Sequence, residues 1–321
     1  MPLPMVLDEL ISRRLVFLSG KGGVGKSVVG LALALAARER GKKTLLVETD
    51  SPLEASRYLG KPPSGPKETE ILPGLFSVNL KPQDVMDEYV RRIVRLDVLI
   101  RRILRSPVYY RFFAAAPGLK ELMLLGKVVS LIEEKEGWSR KLKYDLVVFD
   151  APATGHGLSL MKVPMAASAG IPVGPIGHQA RWILEHLRNP KTTAFGIVAV
   201  PEEMAIVEAA EFYRVAKEEV GVKPTALILN ACHERRLSDA EEGEVLRLTS
   251  EGAEGRLAQG VSLDAALLAA RRHIRRRKLT RFYQARLKKD LPLPMVTLPY
   301  LFQEELDADA IRLLAQRLAA A

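Results

Sequence analysis

Short apolar runs alternate with stretches of helical periodicity along most of this chain. Seven runs are predicted as strands: 15–18, 44–47, 76–80, 146–149, 195–200, 226–229 and 295–298. Most of these runs are continuously apolar, which is typical of strands buried on both faces of a parallel sheet. We therefore predict an α/β fold with a mostly parallel central sheet flanked by helices. Two stretches rich in glycine, proline or charge, 60–74 and 233–260, are predicted as flexible connections.

Residues 84–105 have the periodicity of one amphipathic helix. Asp84 is placed to cap its first turn, and Pro107 lies just past its end. The apolar face consists of Val85, Met86, Tyr89, Ile93, Leu96, Ile100, Ile103 and Leu104, and the opposite face contains Arg91, Arg95, Arg102 and Arg105. We predict a surface helix that packs its apolar side on a core; a helix lying on a membrane is the alternative.

The composition adds one feature that the hydrophobic pattern does not show, which is a strongly positive net charge. The 321 residues are 48% hydrophobic, enough to bury one large α/β core or two small ones, and the net charge is +10. The basic residues concentrate at 271–278 and at 91–111. Both stretches are predicted to be helical, so they are either solvated helix faces or surfaces that attract nucleic acid or an anionic membrane.

The single cysteine and the N-terminal sequence limit the cellular setting. Because Cys232 is the only cysteine, the chain cannot form an internal disulfide or a CxxC metal or redox site. The first residues lack a basic region followed by an apolar core, and the apolar stretch 31–37 is too short to span a bilayer. We expect a cytoplasmic protein, with peripheral attachment to a membrane left open.

One glycine-rich segment carries the strongest chemical signal. It follows the predicted strand 15–18, precedes a predicted helix at 28–40, and reads Gly20-Lys21-Gly22-Gly23-Val24-Gly25-Lys26-Ser27. This fits the pattern G-x-x-x-x-G-K-[ST] of a phosphate-binding loop, with a second lysine inside the loop. Backbone N–H groups and the helix N-terminus would surround the phosphates, with Val28 in the first turn. Lys26 would reach the β- and γ-phosphates, and the Ser27 hydroxyl would ligate Mg²⁺.

Two aspartates end predicted strands and are candidates for the same site. Asp50 follows 44–47 and is a candidate to orient the attacking water, although a turn or capping carboxylate is equally compatible with its position. Asp150 follows 146–149 in the manner of a Walker B aspartate, which would reach the water shell of Mg²⁺ beside Ser27. The small residues of 151–157 are typical of a loop that changes shape when the γ-phosphate leaves, and His156 there is not expected to bind a metal.

These motifs together resemble one family of ATPases. The segment 20–27 is similar to the deviant phosphate loop of the class that includes MinD and ParA, and 150–156 (Asp-Ala-Pro-Ala-Thr-Gly-His) closely resembles the switch II signature of the arsenical-pump and guided-entry ATPases. Further similarity lies at 75–82, 116–122 and 201–209. The resemblance covers nearly the whole chain and implies a P-loop NTPase that binds ATP and Mg²⁺.

The resemblance also implies roles for individual residues. Lys21 is placed like the family's signature lysine, which reaches across a dimer to the partner's phosphates. Asp50 matches the switch I aspartate, which favours the catalytic interpretation over the structural one. Asn230 matches the asparagine that contacts adenine, and Pro299 lies in what resembles the adenine loop.

Three departures from the family separate this chain from its better-known members. The CxxC pair that binds zinc at the guided-entry dimer interface is missing, so no zinc is expected. A lone Cys232 cannot form the three-thiolate metalloid site of the arsenical pump. Only about forty residues separate His156 from the strand at 195–200, which is shorter than the client-binding insertion of the eukaryotic targeting enzymes.

The sequence therefore predicts a single P-loop ATPase domain over 1–321, with a helical subdomain formed mainly by 82–142 and 158–192. We expect a Mg²⁺-dependent ATPase that acts as a homodimer, or as a heterodimer with a paralogue, and binds a membrane-protein client or energises a membrane transporter. The alternative is a positioning ATPase of the ParA or MinD type acting on DNA or a membrane surface, although the switch II signature argues against nucleic acid. Four methionines in the helical segments are predicted either to line a client groove or to pack in the core: Met86, Met123, Met161 and Met165.

Overall fold

The computed structural model describes residues 6–49, 51, 55–94, 96–137, 140–152, 157–171, 173–251 and 262–320. In this part of the chain, eight strands form one sheet: β1 (Leu15–Ser19), β2 (Thr44–Thr49), β3 (Thr69–Leu72), β4 (Leu75–Leu80), β5 (Leu146–Asp150), β6 (Thr193–Ala199), β7 (Ala226–Cys232) and β8 (Met295–Pro299). Their order is β3-β4-β2-β5-β1-β6-β7-β8, and every neighbouring pair except β3–β4 is parallel. The predicted α/β fold with a mostly parallel sheet is confirmed, and all seven predicted strands are present.

The edge strand β3 lies inside 60–74, where the sequence predicted only a flexible connection. It pairs antiparallel with β4 through a tight turn in which Gly74 adopts a φ of +79°. Only Ile71 of its four residues is buried. A half-exposed edge strand lacks the continuous apolar run that identifies the buried strands, so the hydrophobic pattern missed it.

Twelve α-helices surround the sheet in the described ranges: α1 (Val6–Ile11), α2 (Lys26–Glu39), α3 (Pro82–Ile93), α4 (Asp97–Leu104), α5 (Pro107–Ala115), α6 (Leu119–Glu133), α7 (Gly157–Gly170), α8 (Gly174–Arg188), α9 (Glu203–Val215), α10 (Asp239–Glu251), α11 (Leu263–Asp290) and α12 (Ala308–Ala319). Successive residues of β1 point to opposite faces, so Leu15 and Phe17 join one core layer while Val16 and Leu18 join the other. Helices α1, α2 and α12 cover the second layer, and α3, α6, α7, α8 and α9 cover the first.

The predicted helix 84–105 is two helices rather than one. The backbone is extended at Val94 and Leu96, between the end of α3 and the start of α4. Helix α3 begins at Pro82 after an N-cap at Lys81, so Asp84 lies inside the helix and is not its cap. Because 94–96 contains neither glycine nor proline, periodicity alone carried the prediction through the break. Only Val85, Met86 and Ile100 of the predicted apolar face are buried.

The other predicted connection, 233–260, contains helix α10. Ser238 begins it with a capping box, in which Ser238 Oγ accepts from the Glu241 N–H at 3.3 Å and Glu241 Oε2 accepts from the Ser238 N–H at 2.7 Å. The motif S-x-x-E at 238–241 was the sequence signal for this helix. The helix itself is strongly charged and mostly exposed, which made it resemble a loop.

The helices α3–α6, α7 and α8 occupy the segments predicted as a helical subdomain, 82–142 and 158–192, and they share their core layer with the sheet. That they form a separate unit stays a prediction. Met86, Met123 and Met161 are buried in this layer and Met165 packs against it, so core packing accounts for all four methionines. No helix among the described residues is both long enough and apolar enough to cross a membrane.

Candidate functional site

The phosphate loop connects β1 to α2 at the carboxyl edge of the sheet. Gly20 has a φ of +157°, and a Cβ built there would lie 2.1 Å from the backbone oxygen of Val198 in β6. Gly25 is left-handed, with a φ of +83°, and a Cβ there would lie 2.5 Å from Asn230 Nδ2. Only glycine fits both positions, because the loop backbone is packed directly against β6 and β7.

The remaining loop residues have the exposures expected of a phosphate cradle. Gly22 and Gly23 are exposed, whereas the side chains of Val24 and Val28 are buried. The two valines therefore fix the loop from below, and only their backbone groups remain for a ligand. Helix α2 begins at Lys26, so its first N–H groups face the loop.

Lys26 closes the loop on itself. Its buried Nζ donates to the carbonyl oxygens of Gly20 and Lys21 at 3.0 and 3.1 Å. Burial lowers the pKa of the Lys26 ammonium, an effect that the Asp150 and Glu208 carboxylates oppose. A cation held by two carbonyls can exchange them for phosphate oxygens, which are the stronger acceptors.

Ser27 and Asp150 meet beneath the loop because β5 is the parallel neighbour of β1. Ser27 Oγ donates to Asp150 Oδ2 at 2.5 Å. The other oxygen, Oδ1, is buried and has no hydrogen-bond partner within the described part of the protein. Burial raises the pKa of the Asp150 carboxyl, although the Ser27 hydrogen bond and the Lys26 charge oppose this shift.

These two side chains fit a magnesium ion. A carboxylate oxygen without a partner and a hydroxyl that keeps lone pairs while donating its proton to Asp150 are oxygen ligands, which Mg²⁺ prefers. Mg²⁺ also uses few protein ligands and completes its shell with waters and phosphate oxygens. Among the described residues, no group of three or more His, Cys, Asp or Glu side chains is placed to hold a metal.

Lys21 lies at the rim of the loop, where it faces a carboxylate of its own chain. Its Nζ is 3.6 Å from Oε1 of Glu208 in α9, and both side chains are about one-third exposed. Sequence reasoning used Glu208 only as part of the family resemblance and did not pair it with Lys21. The contact joins residues far apart in the chain, so no local sequence pattern indicates it.

The predicted adenine residues lie at the ends of β7 and β8. Asn230 Nδ2 donates to the backbone oxygen of Val24 at 2.9 Å, so this amide braces the phosphate loop from β7. Pro299 ends β8 and pairs with Cys232. Burial raises the pKa of the Cys232 thiol to about 12, which leaves it a poor metal ligand. Contact of Asn230 and Pro299 with adenine stays a prediction.

A cavity of about 530 Å³ opens beside Gly23. Three of its lining side chains form an aromatic cluster, in which the ring of His233 stacks on Tyr300 at 4.7 Å and meets Phe302 edge-on at 5.7 Å. Arg272 and Arg276 of α11 complete this wall. Sequence reasoning missed this cluster, although two aromatic residues within three positions of Pro299 stand out in a chain with only 6% aromatic residues.

Asp50 and residues 153–156 lie outside the described residues, but the flanks of Asp50 are held firmly. Asn79 of β4 brackets Ser51, since Ser51 N–H donates to Asn79 Oδ1 at 3.1 Å and Asn79 Nδ2 donates to Ser51 O at 2.9 Å. The buried Glu48 carboxylate accepts from the Ala55 N–H at 3.0 Å. Two side chains missed by sequence reasoning thus fix both ends of the segment that carries Asp50.

Comparison with known proteins bears on this arrangement of loop and strand ends. The sequence profile of the family described as anion-transporting ATPase matches residues 13–173, half of the chain, including the phosphate loop and Asp150. The chain belongs to the anion-transporting ATPase family. This confirms the resemblance and the prediction of an ATP-hydrolysing enzyme.

Similar proteins carry names consistent with this family. ATPase BagA of Mycobacterium tuberculosis is 27% identical over 248 residues, which cover 74% of this chain and 72% of that protein. An arsenical pump-driving ATPase of Escherichia coli is 26% identical over 232 residues, covering 67% of this chain and 39% of that protein. ATPase ASNA1 homolog 1 of Paramecium tetraurelia is 26% identical over 157 residues, covering 49% and 45%.

Proposed function

We propose that this chain is a magnesium-dependent ATPase that works as a dimer and uses its nucleotide state to reshape an apolar helical surface. The partner at that surface is a membrane-protein client or a membrane transporter. Support comes from the residues beneath the phosphate loop, from the exposed apolar residues of the helices, and from a relative that drives an arsenical pump.

The proposed chemistry is positioning combined with electrostatic stabilisation. Loop N–H groups and Lys26 hold the phosphates, and Asp50 orients the attacking water. Lys21 of the partner subunit supplies positive charge to the transition state, in the way that an arginine finger does. Ser27 and Asp150 would hold Mg²⁺, which neutralises charge on the phosphates when bound.

One observation carries the proposal: the residue placed to sense the nucleotide is connected by a short segment to the helical layer. Asp150 ends β5, and helix α7 begins at Gly157, seven residues later along the chain. Helix α7 packs against both α6 and α8. A displacement of Asp150 is therefore transmitted to packed helices, because no long loop lies between them to absorb it.

Helices α3, α4 and α5 and the connection between α7 and α8 expose more apolar surface than a folded core requires. Eight large apolar side chains are exposed there: Ile93, Leu96, Val98, Leu99, Val108, Tyr110, Ile171 and Val173. We call them the helical apolar surface. A cavity of about 440 Å³ lies between α3 and α8. It is lined by Ile93 at the end of α3 and by Pro175 at the start of α8. Exposed apolar side chains concentrated in so few segments favour a binding surface.

Hydrogen exchange with and without a non-hydrolysable ATP analogue tests the coupling. We expect the analogue to change exchange at 84–105 and 119–132, in addition to protecting the phosphate loop. Protection of the loop without any change in either helical segment would contradict the switch.

Binding of a fluorescent transmembrane-helix peptide tests the surface itself. Val98→Ser, at a side chain that is 73% exposed, should weaken binding about tenfold without altering ATPase activity in the absence of peptide. Leu313→Ser, at an exposed position of α12 on the other side of the sheet, is the matched control. Equal effects of the two substitutions would show that the peptide does not use the helical apolar surface.

A further inference from the structure

Helix α11 concentrates the charge of the whole chain. It carries ten basic and two acidic residues, a net charge of +8, against +10 for the entire protein. At 28 residues it is more than twice the mean length of a globular helix. The positive charge of the protein is therefore concentrated in one helix and is not spread over the general composition.

One heptad stripe along α11 faces solvent throughout. All of its members are exposed: Leu268, Arg271, Arg275, Lys278, Phe282, Ala285 and Lys289. Leu279 is exposed beside it. The stripe, which we call the outer face of α11, is about 32 Å long at 1.5 Å per residue. Four basic and three apolar side chains share this stripe, and Phe282 is 60% exposed.

Within the described residues, the cations in the middle of the outer face have no carboxylate partner. On the inner side of the helix, buried Arg277 pairs with Glu242, and Arg276 lies 3.7 Å from Glu202. In the described part of the chain, by contrast, no carboxylate lies within ion-pair distance of Arg271, Arg275 or Lys278. The outer face therefore presents charge that is available to an external anion.

A groove beside this face is apolar at its floor and basic at its rim. Leu246 of α10 meets Leu268 and Ile274 of α11 in a cavity of about 370 Å³. The rim consists of Arg271, Arg272, Arg275 and Lys278. Such a site suits an amphiphile whose anionic group meets the rim while its apolar part meets the floor.

We propose that the outer face of α11 docks on an anionic lipid bilayer. Cations would contact lipid phosphates while Phe282, Leu279 and Leu268 enter between the headgroups, as in interfacial amphipathic helices. Nucleic acid would use the cations but leave these exposed apolar side chains without a partner. The combination of cations and exposed apolar side chains on one face therefore favours a bilayer over nucleic acid.

Vesicle co-sedimentation of the full chain tests this directly. We expect binding to vesicles with 30% phosphatidylglycerol and little binding to pure phosphatidylcholine. Each removed cation lowers partitioning by about fivefold, so Arg271→Gln with Arg275→Gln and Lys278→Gln should lower it about 100-fold. The matched control removes three exposed lysines elsewhere: Lys61→Gln, Lys191→Gln and Lys223→Gln. Equal losses in both triple variants would overturn the proposal, as would equal binding to both vesicle types.

Variants at Phe282 separate lipid from nucleic acid. Phe282→Ser should weaken vesicle binding roughly tenfold at unchanged charge, and Phe282→Trp should bind and give a blue-shifted fluorescence on anionic vesicles. All variants should keep their circular dichroism and their ATPase activity without lipid. Vesicle binding that is unchanged in Phe282→Ser, with no fluorescence shift in Phe282→Trp and tighter binding to a short DNA duplex, would overturn the proposal in favour of a nucleic-acid surface.

Discussion

Lys26 stabilises the phosphate loop by donating hydrogen bonds to carbonyl oxygens of that loop. Its contribution to ATP binding can therefore be tested separately from catalysis. Lys26→Ala removes the ammonium group, which exchanges those carbonyl acceptors for phosphate oxygens when ATP binds. We expect ATP affinity to fall by at least about 100-fold. Asp50→Asn should bind ATP normally and stall, because only the orientation of water is lost.

Equilibrium binding of a fluorescent ATP analogue and single-turnover hydrolysis check both variants. A hydrolysis rate for Asp50→Asn that matches the unmodified protein would remove Asp50 from the site. Unchanged affinity in Lys26→Ala would do the same for the lysine.

Asp150 illustrates the conflict between function and stability at a single residue. Burial raises its pKa above that of an unfolded chain, so the folded protein favours the protonated carboxyl. The charged form therefore destabilises the fold, and this loss develops as pH rises through the raised pKa. Asp150→Asn, which removes the charge but keeps the shape, should raise the melting temperature at pH 7 while abolishing hydrolysis.

The melting-temperature difference between Asp150→Asn and the unmodified protein should shrink as pH falls towards 4. Thermal melts at several pH values without nucleotide provide the measurement. A gain in stability that is independent of pH would show that the charge of Asp150 is not its cause.

At the scale of elements, strand β4 controls the segment that contains Asp50. Asn79 brackets Ser51 through two hydrogen bonds, so its loss frees the backbone next to Asp50. Asn79→Ala should lower kcat about 10- to 100-fold and change ATP affinity by less than about threefold, since misplaced groups reduce rate more than binding.

Val78→Ala, on the same strand, is the control for a purely structural effect. Val78 is buried in the core, so its truncation loosens β4 and leaves both hydrogen bonds between Asn79 and Ser51 in place. A similar fall in kcat for both variants would indicate general loosening of β4 and would contradict a positioning role for Asn79.

Two further features at this scale came from packing rather than from local pattern. The helix prediction at 84–105 was wrong because the break at Val94 and Leu96 has no sequence marker. Strand β3 was missed because its pairing with β4, and not its own apolar content, makes it a strand. The strands of the sheet interior were predicted because burial on both faces leaves a continuous apolar run.

At the scale of the whole molecule, the role of Lys21 decides whether one chain completes the ATPase site or whether a second chain is needed. In the single chain, Lys21 faces Glu208 of its own α9. If the partner's Lys21 completes the site, Lys21→Ala should retain ATP binding and lose about 10³- to 10⁵-fold in rate.

Mixing Lys21→Ala with Lys26→Ala separates the two arrangements. A mixed dimer keeps one of its two sites intact only if Lys21 acts across the interface, so each mixed dimer should have about half the activity of the unmodified dimer, and an equimolar, randomly paired mixture about a quarter. No recovery, at concentrations where size-exclusion chromatography shows dimers with ATP, would place Lys21 in its own site.

The sequence by itself determined the features whose chemistry is local. The phosphate loop, the strand before Asp50, the strand that ends at Asp150, and the family were identified from contiguous residues, because glycines, a lysine and a serine at fixed spacing have few other uses. The tertiary structure decided what depends on distant contacts. It brought Ser27 to Asp150 across 123 positions, Asn230 to the phosphate loop, and Arg272 with Arg276 to the cavity beside Gly23. It also decided which side of α11 is buried and therefore which of its cations are exposed. Packing buries Arg277 and pairs it with a carboxylate, whereas it leaves Arg271, Arg275 and Lys278 exposed.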